Sequence, residues 1–107
     1  METTIIKDEK NKLLKVNMSG RLDTSTSPLL EEQIADKFDG IENIEIDLKS
    51  LEYISSAGLR VLLAMKKKLP VDGELIIKNA KKEILEIFEI TGFDSVLTID
   101  RKESKNV

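Results

Sequence analysis

Two short stretches, LLKVNM at 13–18 and NIEIDL at 43–48, alternate apolar and polar residues with a period of two. Leu14, Val16 and Met18 alternate with Lys15 and Asn17; Ile44, Ile46 and Leu48 alternate with Asn43, Glu45 and Asp47. Successive side chains of an extended chain point to opposite faces, so each stretch has one apolar side and one wet side. Strands of this kind build a sheet that is covered on one face and solvated on the other.

The cover has to come from helices. Ser27 can cap a helix whose first position is Pro28, where the missing N–H costs nothing. Leu30, Ile34 and Phe38 follow on one face, and Gly40 ends that helix. A second helix runs from about Ala57 to Leu69 and stops before Pro70. Asn79 caps a third, through about Thr91, with Ala80, Ile84, Ile87 and Phe88 inward and Gly92 just past its end.

TTII at 3–6 pairs with 13–18 as a hairpin across the polar turn DEKNK, and SGRLDTSTSP at 19–28 and KSLEYIS at 49–55 read as loops. ELIIK at 74–78 and VLTI at 96–99 supply the remaining strands. The order β-β-α-β-α-β-α-β implies mostly parallel pairing through right-handed crossovers. The expected fold is α/β: a single domain over 1–101 with a mixed, mostly parallel sheet of about five strands and helices on one face, then a charged tail at 102–107 that frays.

At 107 residues the chain has room for one core. It contains no cysteine and no histidine, which removes disulfides, thiol nucleophiles, imidazole or thiolate metal sites and any Ser-His-Asp hydrolase. A net charge of -3 and only one tyrosine and three phenylalanines argue against nucleic acid as a partner. METTIIKDEK lacks a signal-peptide layout, and no apolar run approaches the roughly 20 residues that span a bilayer, so a cytoplasmic protein without a membrane partner is expected. No cofactor and no catalytic residue are expected.

The stretch YISSAGLRVLL at 53–63 places two hydroxyls, an alanine and a glycine at the mouth of a helix. Ser56 occupies the expected N-cap, and bare first-turn amides favour an anion there. Two readings stand on these residues alone: a plain serine cap with small residues for packing, or a position that holds a phosphate, bound or covalently attached. Leu59, Leu62 and Leu63 form a core stripe, and Val61 and Met65 widen it, either against a neighbouring helix or as an apolar patch for a partner. Arg60, one turn after Ser56, either pairs with a phosphate or is simply solvated.

These residues resemble the STAS-domain family, and within it the stand-alone anti-sigma factor antagonists. The resemblance covers almost the whole chain. It runs through SGRLDTSTSP at 19–28, where the family has a threonine- or serine-glycine-x-leucine-aspartate loop, and IEIDLKSLEYISSAGLRVL at 44–62, the hallmark strand, loop and helix start. It ends in DGELIIKNAKKEILEIFEITGFDSVL at 72–97, with the apolar third helix and its glycine-phenylalanine ending.

What the resemblance implies is a phosphorylation switch. The unphosphorylated antagonist binds an anti-sigma factor that is also a serine kinase with a GHKL-type ATP site, and the sigma factor is released. The kinase then phosphorylates one serine at the start of the second helix, and a serine phosphatase resets the system. The acceptor position, two residues before the glycine, is Ser56. Asp23 matches the loop aspartate beside the acceptor. Asp23, Thr24 and Thr26 in the loop, with Ser55, Ala57, Gly58, Arg60 and Val61 around the helix start, make up the implied partner surface. The small residues would leave a kinase and a partner room to reach Ser56.

The chain departs from the family pattern twice. Ser55 stands where many antagonists have aspartate, which keeps Ser55 open as an alternative acceptor. Arg60 stands where a small residue is common, which could change partner choice or shield the phosphate. The rival readings are a STAS-type binding or sensor module for a small anion or nucleotide, and an enzyme with Asp23 as base and Ser56 as nucleophile. No GxxxxGK[ST] loop supports the first, and no oxyanion-hole motif supports the second.

Overall fold

The computed structural model describes residues 1–100; the expected tail at 102–107 lies outside the described residues. Two long neighbouring strands, β2 (Leu13–Leu22) and β3 (Asn43–Ile54), form the spine of the sheet. β1 (Glu2–Asp8) pairs antiparallel with β2, while β2, β3, β4 (Leu75–Lys78) and β5 (Thr98–Asp100) are parallel, in spatial order β1-β2-β3-β4-β5. Three helices connect them: α1 (Ser27–Ile34), α2 (Ser56–Lys67) and α3 (Lys82–Thr91), the last followed by a 3₁₀ turn at Phe93–Ser95.

The alternation in the sequence is what buries the sheet on one side. Leu14, Val16, Ile44, Ile46, Leu75 and Ile77 are fully buried, whereas Lys15 and Asn17 stand exposed on the other face. Leu30 and Ile34 of α1, Leu59, Leu62 and Met65 of α2, and Ile84 and Phe88 of α3 close over the apolar side as one core. Fully burying each such side chain contributes about 1.5–3 kcal/mol, set against the entropy of ordering the chain.

Several expected boundaries move. SGRL at 19–22 and KSLEYI at 49–54 are strand, not loop. β2 and β3 stay paired through register shifts between Asn17 and Ser19 and between Gly20 and Arg21, where Gly20 takes φ 86. The extra residues let Leu22, Leu51 and Ile54 remain buried after the simple alternation has lapsed. α1 ends at Ile34 rather than at Gly40; Phe38 packs on the core from a turn, and Gly40 (φ 77) belongs to that turn.

Asn79 does not cap α3. Its φ of 59 is left-handed, while an N-cap needs extended backbone, and its side-chain amide donates to Asp47 Oδ2 at 3.2 Å. Ala80 therefore precedes the helix, and Lys81 is the N-cap residue. Gly92 does close α3 in the left-handed conformation, φ 80. β5 begins at Thr98 because Phe93–Ser95 form the 3₁₀ turn and Leu97 drops into the core.

Candidate functional site

β2 and β3 end side by side because they run parallel, and their two exits build the site. The chain leaves β2 at Leu22 into the Asp23 loop and leaves β3 at Ile54 into α2. The Ser55 N–H donates to the Leu22 carbonyl oxygen at 2.9 Å, which ties the exits together.

Ser55, not Ser56, is the N-cap of α2. Its backbone is extended (φ -99, ψ 175), its carbonyl accepts from the Leu59 N–H at 2.9 Å, and its Oγ accepts from the Gly58 N–H at 3.4 Å. Ser56 is the first helical residue and is exposed; its hydroxyl makes no hydrogen bond among the described residues. Of the two hydroxyls, one is half-buried and committed to the backbone, and the other is free in solvent.

Gly58 and Val61 are both buried. Val61 is 4% exposed and Met65 1%; both pack on the neighbouring helix, lining a small cleft of about 100 Å³ with Ile34, Ala35 and Phe38. Gly58 is buried, and a Cβ there would stand 2.9 Å from Ile54 Cγ1, from Leu22 Cγ and from the Leu22 carbonyl oxygen. Its smallness serves close packing of the helix start on the two strand exits rather than the approach of a partner. Ala57 is half-buried and Arg60 exposed, so these two remain reachable.

The Asp23 carboxylate organises its own loop. Oδ1 accepts from the Ser25 N–H at 3.0 Å, the Ser25 hydroxyl at 2.8 Å and the Thr26 N–H at 3.2 Å. Thr26 Oγ1 accepts from the Asp23 N–H at 2.8 Å and donates either to the Arg21 carbonyl at 2.8 Å or to Asp23 Oδ1 at 3.2 Å. The Ser25 hydroxyl first, and then the loop amides, hold the Asp23 pKa below the ordinary carboxylate value. Among the described residues Asp23 makes no hydrogen bond to Ser55 or Ser56.

Arg21 and Tyr53 complete this edge. The Arg21 Cζ lies 4.2 Å from the Tyr53 ring centroid, and its Nε is 3.6 Å from Asp23 Oδ2. The sequence signal for this pair was hidden, because Arg21 faces Tyr53 only after both register shifts. Thr24, Ser27, Pro28 and Glu31 on one side and Ala57, Arg60 and Val61 on the other line a shallow groove of about 290 Å³ between α1 and α2. Among the described residues no cluster of acidic side chains could hold a metal ion, and no helix is long and apolar enough to cross a membrane.

Residues 4–106 match the STAS domain. The chain belongs to the STAS-domain family. BtrV of Bordetella bronchiseptica is 37% identical to this STAS domain over 94 residues, covering 86% of this chain and 81% of that protein. The anti-sigma-B factor antagonist of Bacillus subtilis is 27% identical over 103 residues, covering 95% and 94%. SpoIIAA, an anti-sigma factor antagonist solved in unphosphorylated and phosphorylated forms, shares the fold with TM-scores of 0.67 and 0.66 at 17% and 16% identity, over 89% and 96% of this STAS domain and 97% and 95% of SpoIIAA.

Proposed function

We propose that this STAS domain is an anti-sigma factor antagonist controlled by phosphorylation of Ser56. The observation that carries the reading is the division of labour between the paired serines: Ser55 caps α2, and Ser56 presents an unengaged, exposed hydroxyl beside it. The relatives named as anti-sigma factor antagonists support the partner class.

In the unphosphorylated state the domain binds an anti-sigma factor with serine kinase activity through the face formed by the Asp23 loop, Thr24, Ser56, Ala57 and Arg60. The sigma factor is thereby freed. The kinase transfers the γ-phosphoryl group of ATP to Ser56: the Oγ–P bond forms, the bond to the ADP oxygen breaks, and the hydroxyl proton passes to the kinase. The new group adds about -1.5 to -2 charges at neutral pH. Placed at a desolvated contact, such a charge costs several kcal/mol; about 3 kcal/mol lowers affinity more than a hundredfold. A serine phosphatase restores the binding form. No change of fold is required.

The serine at position 55 fits this scheme. Serine and aspartate are both preferred N-caps, so Ser55 does the capping that an aspartate would do, without its charge.

Tandem mass spectrometry of the chain purified from its native cell, with copurified proteins identified in the same run, tests the reading. The expected result is phosphate on Ser56 and an ATP-binding anti-sigma factor with the unmodified pool. Phosphate confined to Ser55 would move the site, and a chain that stays unmodified and captures no such partner would sink the proposal.

A further inference from the structure

We propose that Arg60 is the intramolecular counter-ion of a phosphate on Ser56, and that it limits how strongly phosphorylation repels the partner; the inference rests on Ser56 being the acceptor. Ser56 is the first residue of α2 and Arg60 lies four residues on, so the two share a face with Cβ atoms about 5–6 Å apart. Both are exposed. A phosphoserine and an arginine at this spacing can form the short, two-pronged contact that guanidinium makes with phosphate.

Arg60 is the uncommitted cation at this edge. Among the described residues it makes no ion pair, although the Glu31 carboxylate of α1 lines the same groove. Arg21 is held over Tyr53 and beside Asp23. Asp23 in turn is occupied by Ser25, Thr26 and Arg21, which leaves it no call on Arg60. A phosphate on Ser56 therefore meets one free guanidinium on its own helix; the carboxylates of the elements packed beside α2 are Asp23, in the loop that follows Leu22, and Glu31, which lines the groove with Arg60.

The neutral cap matters here. With Ser55 rather than a carboxylate at the N-cap, the positive end of the helix dipole acts on the phosphate with no anion at the cap itself. Arg60 and the helix start together favour the dianion. The phosphorylated domain then carries part of its new charge neutralised in place, and the partner meets a weaker field than a bare phosphoserine would present.

The test uses the full chain with phosphoserine installed at position 56 during translation, so that no kinase is needed. Phosphorus NMR gives the second phosphate pKa in the Arg60 protein, in R60A and in R60K. Asp23, Glu31, Arg21 and Tyr53 are the same in all three, so differences report position 60. The phosphate of the Arg60 protein is expected to titrate below the ordinary value of about 6, R60A to raise it by about half a unit, roughly a threefold change in the protonation equilibrium, and R60K to restore part of the shift. The ratio of partner affinities, unphosphorylated over phosphorylated, is expected to widen several-fold in R60A. Superimposable titrations of the Arg60 and R60A proteins would overturn the proposal. So would an R60A variant that loses affinity only in the unphosphorylated form, since Arg60 would then act on the partner alone and not on the phosphate. If the phosphate fails to release the partner while the R60A titration still shifts, the counter-ion stands and the switch reading falls.

Discussion

The Ser55 N–H and the Leu22 carbonyl oxygen, 2.9 Å apart, join the ends of two parallel strands at the root of α2. The same carbonyl lies 2.9 Å from where a Cβ on residue 58 would stand, and that atom is backbone, which cannot swing aside. Gly58→Ala should therefore destabilise the domain by about 1–3 kcal/mol, even though alanine is intrinsically the better helix former by up to about 1 kcal/mol. Urea unfolding followed by circular dichroism measures it. A variant as stable as the parent would mean that the helix start has slack, and that glycine is there for another reason.

The paired serines should separate cleanly by mutation. Ser55→Ala removes a cap whose hydrogen bond is long, 3.4 Å, so a loss near the low end of the usual range, about 0.5–1 kcal/mol, is expected, with Ser55→Asp restoring it. Ser56→Ala should leave unfolding within about 0.5 kcal/mol of the parent, as an exposed substitution does. It should abolish the phosphorylated species in the native cell, whereas Ser55→Ala should keep it. The reverse pattern in intact-mass spectra would reassign the acceptor.

Ser27 carries a different kind of prediction. It is 3% exposed, and its Oγ is buried without a hydrogen-bond partner among the described residues. The loop satisfies its polar groups through Thr26 and Asp23 instead, so the serine is not used as the cap its sequence position suggests. Deleting an unpaired buried hydroxyl removes a desolvation cost, and Ser27→Ala should be neutral or stabilising by up to about 1 kcal/mol. A loss of stability in urea titrations would show that the hydroxyl has a partner, such as a bound water.

The element order, the sheet pairing and most of the core were legible because the alternation of Leu14, Val16 and Met18 with Lys15 and Asn17 leaves only one way to bury the strand. What was not legible came from places where backbone geometry departs from a regular period. The register shifts between β2 and β3, with the extra residues on β3, carry the pairing on through Arg21 and Leu22, and local alternation gives no sign of them. Asn79 looks like a helix cap by residue type but sits at a positive φ and spends its amide on Asp47. At the site, Ser56 is the first residue of α2 and not its expected N-cap, because which serine caps depends on a one-residue boundary that residue type cannot decide. Gly58 is the instructive case: alanine and glycine after two serines read as access, and only the neighbouring Leu22 and Ile54 show that the glycine is packed.

The Asp23 loop should be the acid-sensitive part of the site. The Ser25 hydroxyl, ahead of the Thr26 and Ser25 amides, stabilises the ionised carboxylate and lowers its pKa in the folded protein. A carboxylate with a depressed folded pKa contributes its stabilisation above the unfolded value, about 3.9, and loses it as pH falls through the folded value. Ser25→Ala removes the largest of these contacts and leaves the Thr26 amide at 3.2 Å, so the Asp23 midpoint should rise toward the ordinary value without reaching it. Carbon-13 NMR of the side-chain carboxyl, titrated in the parent and in Ser25→Ala, reads this directly. Loop amide signals of Ser25 and Thr26 should broaden or shift with the same midpoint, because both donate to Asp23 Oδ1. At neutral pH the carboxylate is ionised in both proteins, so any change in partner binding there reports loop geometry rather than charge. An unchanged midpoint in Ser25→Ala would mean that the hydroxyl does not hold the carboxylate, and that the loop is ordered by its backbone alone.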